Sequence, residues 1–555
     1  MLKYKTLTLI TSVLFVFNGI AQQVRLDNLK EQYSMKNLLK INGGVSANAA
    51  FYNGNNAARD PFTWVLSGNL NMSLFNQFSF PFSFNFNNLG GNYTYPTLPN
   101  RISLNPVYKW ATGHFGDVSM SFSPYTLNGH QFTGAGVELA PDNLPLKVSA
   151  MYGRLVRATE YNPEERLSVP AYKRTGYGIK TQYSSKKYSV GMTLFSAKDF
   201  ENSLQTIPDS LEITPQSNLA ASLNLDLKLI KNLTFIAEYG ISLLTHDIRI
   251  GQNLKSDYHA VRAELSYQFK GNTIGLGYER IDPEYRSLGA YYFTNDLENF
   301  TVNFARSFLK DKLTFAMNVG MQHDNLDNSK AEESQRFVGA ASMNASIDEN
   351  LNISLSYSNF QTYTNTRSQF DYINKLTEYD NLDTLNFTQL SQNAIVNVSW
   401  NFGNSETYKH NLGLNLNWQE AADKRGNMIR TGGASQLYNI ASAYSLTLTP
   451  LKTNLNASAN LTYNTVGFEN MLMYGPNLGI STNIKRINAG ASIAYNITVN
   501  NGKSSGNVLN MRANVAFQVM KRHNLSIVLV NQNRNFDDSP KSSDFTLTFG
   551  YFFSF

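Results

Sequence analysis

The chain contains no cysteine in 555 residues. That excludes disulfides, thiolate metal sites, cysteine nucleophiles and lipid attachment at a cleavage-site cysteine. Long apolar runs are also missing. No stretch past the N-terminal region approaches the roughly 18 to 20 consecutive apolar residues of a membrane helix. Histidine is sparse, and His114, His130, His246, His259, His323, His410 and His523 show no HExxH or comparable ligand spacing. No glycine-rich phosphate loop follows a strand pattern. The run His323-Asp324-Asn325-Leu326-Asp327-Asn328 is acidic but lacks the ordered spacing of a calcium loop. The His246-Asp247 and His323-Asp324 pairs fall near strand ends without a nucleophile beside them and read as solvated loop residues. No metal, cofactor or catalytic group is therefore assigned, and the chain is not read as an enzyme. Charge is nearly balanced at 47 basic and 41 acidic residues, with Lys3 and Lys5 supplying part of the net +6. No basic stripe points to nucleic acid.

What the chain has in quantity is aromatics, 31 Tyr and 35 Phe, in a polar background of mean hydropathy −0.31. They recur at every second position. Phe545, Leu547, Phe549, Tyr551, Phe553 and Phe555 alternate with Thr546, Thr548, Gly550, Phe552 and Ser554. Successive strand side chains point to opposite faces, so one face of this strand is apolar and the other mostly small or polar. Phe78, Phe80, Phe82, Phe84 and Phe86 repeat the pattern against Ser79, Pro81, Ser83 and Asn85. Leu455 to Tyr463 and Ile487 to Ile497 alternate in the same way with Asn, Ser, Thr and Gly. A soluble sheet would expose an aggregating edge here. In a closed barrel within lipid the pattern is apolar outside and polar inside.

The final strand resembles that of Gram-negative outer-membrane β-barrels, which ends on Phe and carries alternating aromatics. In that family it is the signal read by the barrel-assembly machinery, here Phe549, Tyr551, Phe553 and Phe555. The Asn- and Tyr-rich barrel also looks like proteins of Bacteroidota. The resemblance implies an all-β fold: a large transmembrane, antiparallel, up-and-down barrel in the cell outer membrane, with outer-membrane lipid as its surroundings.

Residues 1–21 read as a cleaved signal peptide, with Lys3 and Lys5, an apolar core Leu7 to Phe17, and Gly19-Ile20-Ala21 before Gln22. Residues 22–38 read as a short periplasmic segment, too short for the plug domain of TonB-dependent receptors or for the periplasmic repeats of assembly barrels. The barrel occupies 39–555. Tight turns at Asn76-Gln77, Ser184-Ser185, Lys270-Gly271, Lys310-Asp311, Asp348-Glu349, Pro450-Leu451 and Lys485-Arg486 alternate with longer loops at about 157–170, 198–216, 283–296, 367–383 and 420–434. This is the periplasmic and extracellular asymmetry of such barrels. Both termini on one side require an even strand count. The segments give about 24, within a range of 22 to 26.

Residues 88–130 break the rhythm with Gly90-Gly91, Pro96, Pro99, Pro106, Gly113, Gly116 and Pro124. Two readings stand. Leu104 to Trp110 and Asp117 to Phe122 form an extra hairpin, raising the count to 26. Alternatively the stretch folds inward, with Tyr108, Trp110, Phe115, Phe122 and Tyr125 as a lumen plug or constriction, since five aromatics need burial. The inner face of Asn, Ser, Thr and Gly, with scattered charge such as Asp226 and Lys228, is wettable and nearly neutral, unlike the charged rings of selective pores. The expected function is a channel or transport protein with a partly occluded lumen. The alternative is a structural or assembly subunit of a larger outer-membrane complex.

Overall fold

A computed structural model describes residues 39–555 except 55–59, 76, 89–99, 162–169, 206–210, 212, 251–254, 292, 330–334, 361, 366–386, 404–405, 426–427, 467–468 and 538. The expected signal peptide and N-terminal segment lie outside the described residues.

Strand segments follow one another with almost no helix. They are β1 (Leu39–Asn53), β2 (Phe62–Leu74), β3 (Phe78–Asn87), β4 (Arg101–Leu104), β5 (Val107–Tyr108), β6 (Ala111–Ser121), β7 (Asn128–Leu139), β8 (Leu146–Val156), β9 (Arg174–Ser184) and β10 (Tyr188–Asp199). Then come β11 (Ser217–Ile230), β12 (Leu233–Thr245), β13 (Lys255–Phe269), β14 (Asn272–Ile281), β15 (Leu297–Phe308), β16 (Leu313–His323), β17 (Gln335–Ser346), β18 (Leu351–Ser358) and β19 (Thr362–Asn365). The last are β20 (Phe387–Phe402), β21 (Tyr408–Arg425), β22 (Met428–Leu448), β23 (Thr453–Val466), β24 (Glu469–Ile484), β25 (Ile487–Asn500), β26 (Lys503–Met520), β27 (His523–Phe536) and β28 (Ser542–Ser554).

Each strand pairs antiparallel with its sequence neighbour, and β28 returns to pair with β1 from Asn53↔Phe545 to Gly44↔Ser554. The sheet is therefore closed, and neither terminal strand presents an unpaired edge. β4 and β5 lie end to end between β3 and β6, and β18 and β19 lie end to end against β20. Counted as staves, the barrel has 26 strands. That is the count reached when the irregular stretch contributes a hairpin, and it does so as β4–β5 and β6.

Register partners share a face, so the two surfaces can be followed around the wall. Ser46, Ser67, Asn85 and Arg101 are successive partners, as are Asn401, Asn411, Ser445 and Asn456. One position along, Phe549, Ile527 and Val515 are partners, large and exposed. The exposed apolar face is the outer one, which an apolar medium must cover. The Asn/Ser/Thr/Gly face lines the lumen.

At the end that carries Leu39 and Phe555 the connections are tight. Lys270-Gly271 has two positive φ angles, 44° and 79°, the pattern of a type I′ hairpin turn. One expected loop is absent. The residues from 420 to 434 continue the β21–β22 ladder out to Arg425↔Met428. Polar sequence marks where a strand leaves the apolar medium, but it does not stop backbone pairing. Pro81 produces no register shift against β2, where it opposes Asn71.

Candidate functional site: two segments folded into the lumen

The connections β6–β7 (122–127) and β14–β15 (282–296) lie at the end opposite the termini. Neither projects outward. Phe122, Tyr125, Thr126 and Leu127 are buried, as are Tyr285, Ser287, Leu288 and Gly289. Both segments pack on the inner face of β6–β14.

The first segment closes on itself before it touches the wall. Phe122 N and Thr126 N donate to Leu127 O and Ser123 O at 2.8 and 3.2 Å. Its apolar side chains then pack on inward residues of the wall. Phe122 and Leu127 join Val118, Met120, Phe132, Met151, Leu155, Phe195, Ala197, Leu244 and Leu288 in one cluster. Tyr125 joins Ala260, Ile281, Tyr285 and Leu297 in a second, with Phe293 against it. Room for this is made at Gly240, where a Cβ would stand 2.7 Å from Tyr125 Cβ and 3.0 Å from the Tyr285 hydroxyl. At Gly289 a Cβ would meet the Phe195 ring and Thr126 O, both at 2.7 Å.

The second segment clamps the first. Leu127 and Gly289 form an isolated parallel bridge, and Asn128 N donates to Gly289 O at 2.9 Å. The Tyr285 hydroxyl donates to Tyr125 O at 2.8 Å and the Ser287 hydroxyl to Thr126 O at 2.5 Å. Both carbonyls belong to the first segment, whose irregular backbone would otherwise be buried without partners.

The wall answers with polar groups. Lys180 Nζ donates to Phe122 O at 2.6 Å, the Ser123 hydroxyl bonds to Glu238, and the Tyr125 hydroxyl donates to Glu279 Oε1 at 3.2 Å. The Ser242 hydroxyl donates to Arg286 O at 2.6 Å, and Leu288 N donates to Asn218 Oδ1 at 3.2 Å. Arg262 stands in register between Glu238 and Glu279, which balances their charge. Burial, helped by Glu279, raises the Tyr125 phenol far above its ordinary range, and burial does the same to Tyr285. Both hydroxyls therefore stay protonated and remain donors.

The rest of the lumenal wall is different. From β20 to β23 the inward side chains bond to one another: Asn415 to Asn397 at 2.5 Å, Asn411 to Asn401 at 2.8 Å, Asn439 to Thr462 at 2.8 Å and Ser445 to Asn454 at 2.9 Å. Among the described residues the lumen thus has one side filled by the two segments and their charged partners, and another lined mainly by Asn, Ser and Thr, with Lys409 at its turn end. Among the described residues no group of three or more potential ligands could hold a metal ion.

The structure divides the five aromatics of 88–130. Phe122 and Tyr125 stand in the inward segment. Tyr108 is in the wall and stacks on Phe78 with ring centroids 4.3 Å apart. Trp110 lies in the tight turn after β5, and Phe115 is 46% exposed on the outer face of β6. The partner segment, 282–296, reads in the sequence as an ordinary loop. Tyr285, Tyr291 and Phe293 are signals of burial there, obscured by the many other aromatics. In β28, Phe549 and Tyr551 point outward and are exposed. Tyr551 OH lies 2.7 Å from His523 Nδ1, and Phe553 meets Phe555 edge-on at 4.8 Å. His246 lies 3.3 Å from Tyr258 OH, and His323 pairs with Glu298 at 2.8 Å.

No protein-family model matches the chain, and no curated protein matches it. Among solved structures, the unliganded ferric citrate transporter FecA aligns over 92% of this chain and 78% of its own, at 9% identity and a TM-score of 0.39. The copper transporter OprC aligns over 92% and 80%, at 10% identity and a TM-score of 0.39. OccK11 of Pseudomonas aeruginosa aligns over 66% and 95%, at 10% identity and a TM-score of 0.28. Likeness at this level decides nothing further.

Proposed function

We propose that this protein is an outer-membrane conduit for small uncharged hydrophilic solutes, narrowed on one side by 122–127 and 282–296. The observation that carries this reading is the hydrogen-bonding wall of Asn, Ser and Thr from β20 to β23, with Lys409 at its turn end, opposite the two inward segments. Amide and hydroxyl side chains can replace the water around a neutral solute without favouring either sign of ion. The apolar outer face supports a membrane location. Barrels this wide leave a lumen their own side chains cannot fill, and the inward segments narrow it. The C-terminal strand with Phe549, Tyr551, Phe553 and Phe555 fits delivery by barrel-assembly machinery.

The test is reconstitution in planar bilayers and in vesicles. The expected result is steady conductance, a reversal potential near zero in a salt gradient, and swelling with neutral sugars. Replacing 122–127 by Asn-Gly should enlarge the conductance. Removal of all of 88–130 is a poor test, because it would delete two staves of the wall. A folded barrel that passes neither ions nor sugars, before and after the replacement, would sink the proposal.

A further inference from the structure

Among the described residues the wall has the fewest ladder pairs at the stave made by β4 and β5. β3 pairs with β4 over four residues and with β5 over two, and on the other side β4 and β5 each pair with β6 over two. Elsewhere among the described residues β7–β8 and β17–β18 hold seven pairs, and the four of β19–β20 extend the eight of β18–β20 in one stave.

The break falls at Asn105-Pro106. Asn105 N donates to Pro81 O at 2.8 Å. In an antiparallel strand the N–H and C=O of a residue point to the same side. The donor that Pro81 lacks therefore faces this break as well. Side chains replace ladder partners around it. Asp117 Oδ2 accepts from Ile102 N at 3.0 Å, His114 Nδ1 lies 3.0 Å from Asn105 Oδ1, and the Ser83 and Ser103 hydroxyls are 2.6 Å apart.

A cavity of about 420 Å³ adjoins the break, lined among others by Asn42, Asn69, Asn71, Asn105, Leu70 and Phe82, and by no charged residue. That volume is in the range of sites that hold a small molecule. On the outer face of β3, Phe78, Phe80, Phe82, Phe84 and Phe86 run the length of the strand.

We propose that the β3–β6 wall is a lateral portal by which a neutral amphiphile, with a hydroxyl- or amide-bearing head and an apolar tail, moves between the lumen and the membrane. Several uncharged carboxamides can bond such a head, whereas a charged head would be desolvated without a counter-charge. The tail follows Leu70 and Phe82 to the phenylalanine column. A ladder already broken by two prolines and propped by side chains has few backbone bonds to lose on opening. This rests on the proposal that the barrel is a membrane conduit.

The chain has no native cysteine, so the portal can be locked cleanly with Ser83→Cys and Ser103→Cys, which are register partners. Ala443→Cys with Ser458→Cys, partners in β22–β23, is the control lock. The probe is a hexadecyl maltoside with a benzophenone on the sugar head, placed in the lipid of vesicles that hold the full chain. Mass spectrometry should map adducts to Asn69, Pro81 and Asn105 in the reduced protein. Labelling there should fall at least tenfold on oxidation, return with reductant, and be unchanged by the control lock. Equal labelling in locked and reduced forms, or an equal fall with the control lock, overturns the portal. If the cysteine pair does not assemble, Asn42→Leu with Asn69→Leu gives a second reading. A fivefold loss of labelling is expected, and no loss overturns the assignment of the head group. Conductance is measured on the same samples. Reversible labelling without conductance would fail the conduit alone, whereas conductance with lock-insensitive labelling would fail the portal alone.

Discussion

Tyr285 donates its hydroxyl to the backbone carbonyl of Tyr125 at 2.8 Å across 160 residues of sequence, and both residues are buried inside the barrel. This bond ties one inward segment to the other. Tyr285→Phe leaves the Tyr125 carbonyl without that donor, at a cost of about 1–3 kcal/mol for an orphaned buried group. The segments should then leave the wall more often. Single-channel records should show frequent excursions to a higher conductance, and records like those of the wild type would remove the clamp role.

Gly240 admits Tyr125 to the wall, and a side chain there collides with it. Gly240→Leu should keep the barrel folded but displace 122–127. Folding is checked by heat-modifiable migration on gels, and displacement by a permanent rise in conductance. A folded variant with wild-type conductance would mean the segment is held elsewhere.

The assignment of faces can be tested on neighbouring residues. Leu478 is 56% exposed on the outer face, and Asn477 lies on the lumenal face as the partner of Ser458. Leu478→Arg should destabilise the barrel by about 2–4 kcal/mol, the cost of Arg on the lipid face near the bilayer midplane. Asn477→Arg should cost little. Denaturant unfolding in vesicles compares the two, and equal losses would contradict the assignment.

Gly43 has φ +144° and would place a Cβ 2.0 Å from Asn69 O. Its carbonyl accepts from Phe555 N at 3.0 Å, beside the β1–β28 seam. Gly43→Val should reduce the yield of closed barrel several-fold in refolding into detergent micelles. Normal yield would show that the seam tolerates the strain.

Outside the strands, Arg249 donates through its side chain and its backbone to Asp247 and holds that carboxyl below its ordinary range. A depressed carboxyl stabilises the fold above the unfolded pKa, about 3.9, and that contribution is lost as pH falls through the lower folded value. The pair is partly exposed, so its worth is below about 1 kcal/mol. Amide exchange at 247–250, corrected for intrinsic rates, should speed up only in this acid window. Asp247→Asn should abolish the dependence, and an unchanged profile in that variant would assign it to another group.

Several elements could be read from residues alone. Period-two alternation in Phe78–Phe86, Leu455–Tyr463 and Phe545–Phe555 identified strands with one lipid face, because a strand puts neighbours on opposite sides. Turn residues such as Lys270-Gly271 marked hairpins. The stretch from about 420 to 434 reads as a loop, yet its described residues carry the β21–β22 ladder to Arg425↔Met428, because polarity and backbone pairing are separate properties. The irregular stretch 88–130 held two structures, a hairpin and an inward turn, and composition could not divide them.

Local alternation and turn chemistry suffice to read the barrel and its two faces, and even strand parity follows once both termini are placed on one side. That 122–127 and 282–296 meet inside the lumen is visible only in the folded chain. That meeting depends on Tyr285, Ser287, Gly240 and Glu238 reaching one place from distant strands. Closure of the sheet brings them together, and no local pattern encodes it.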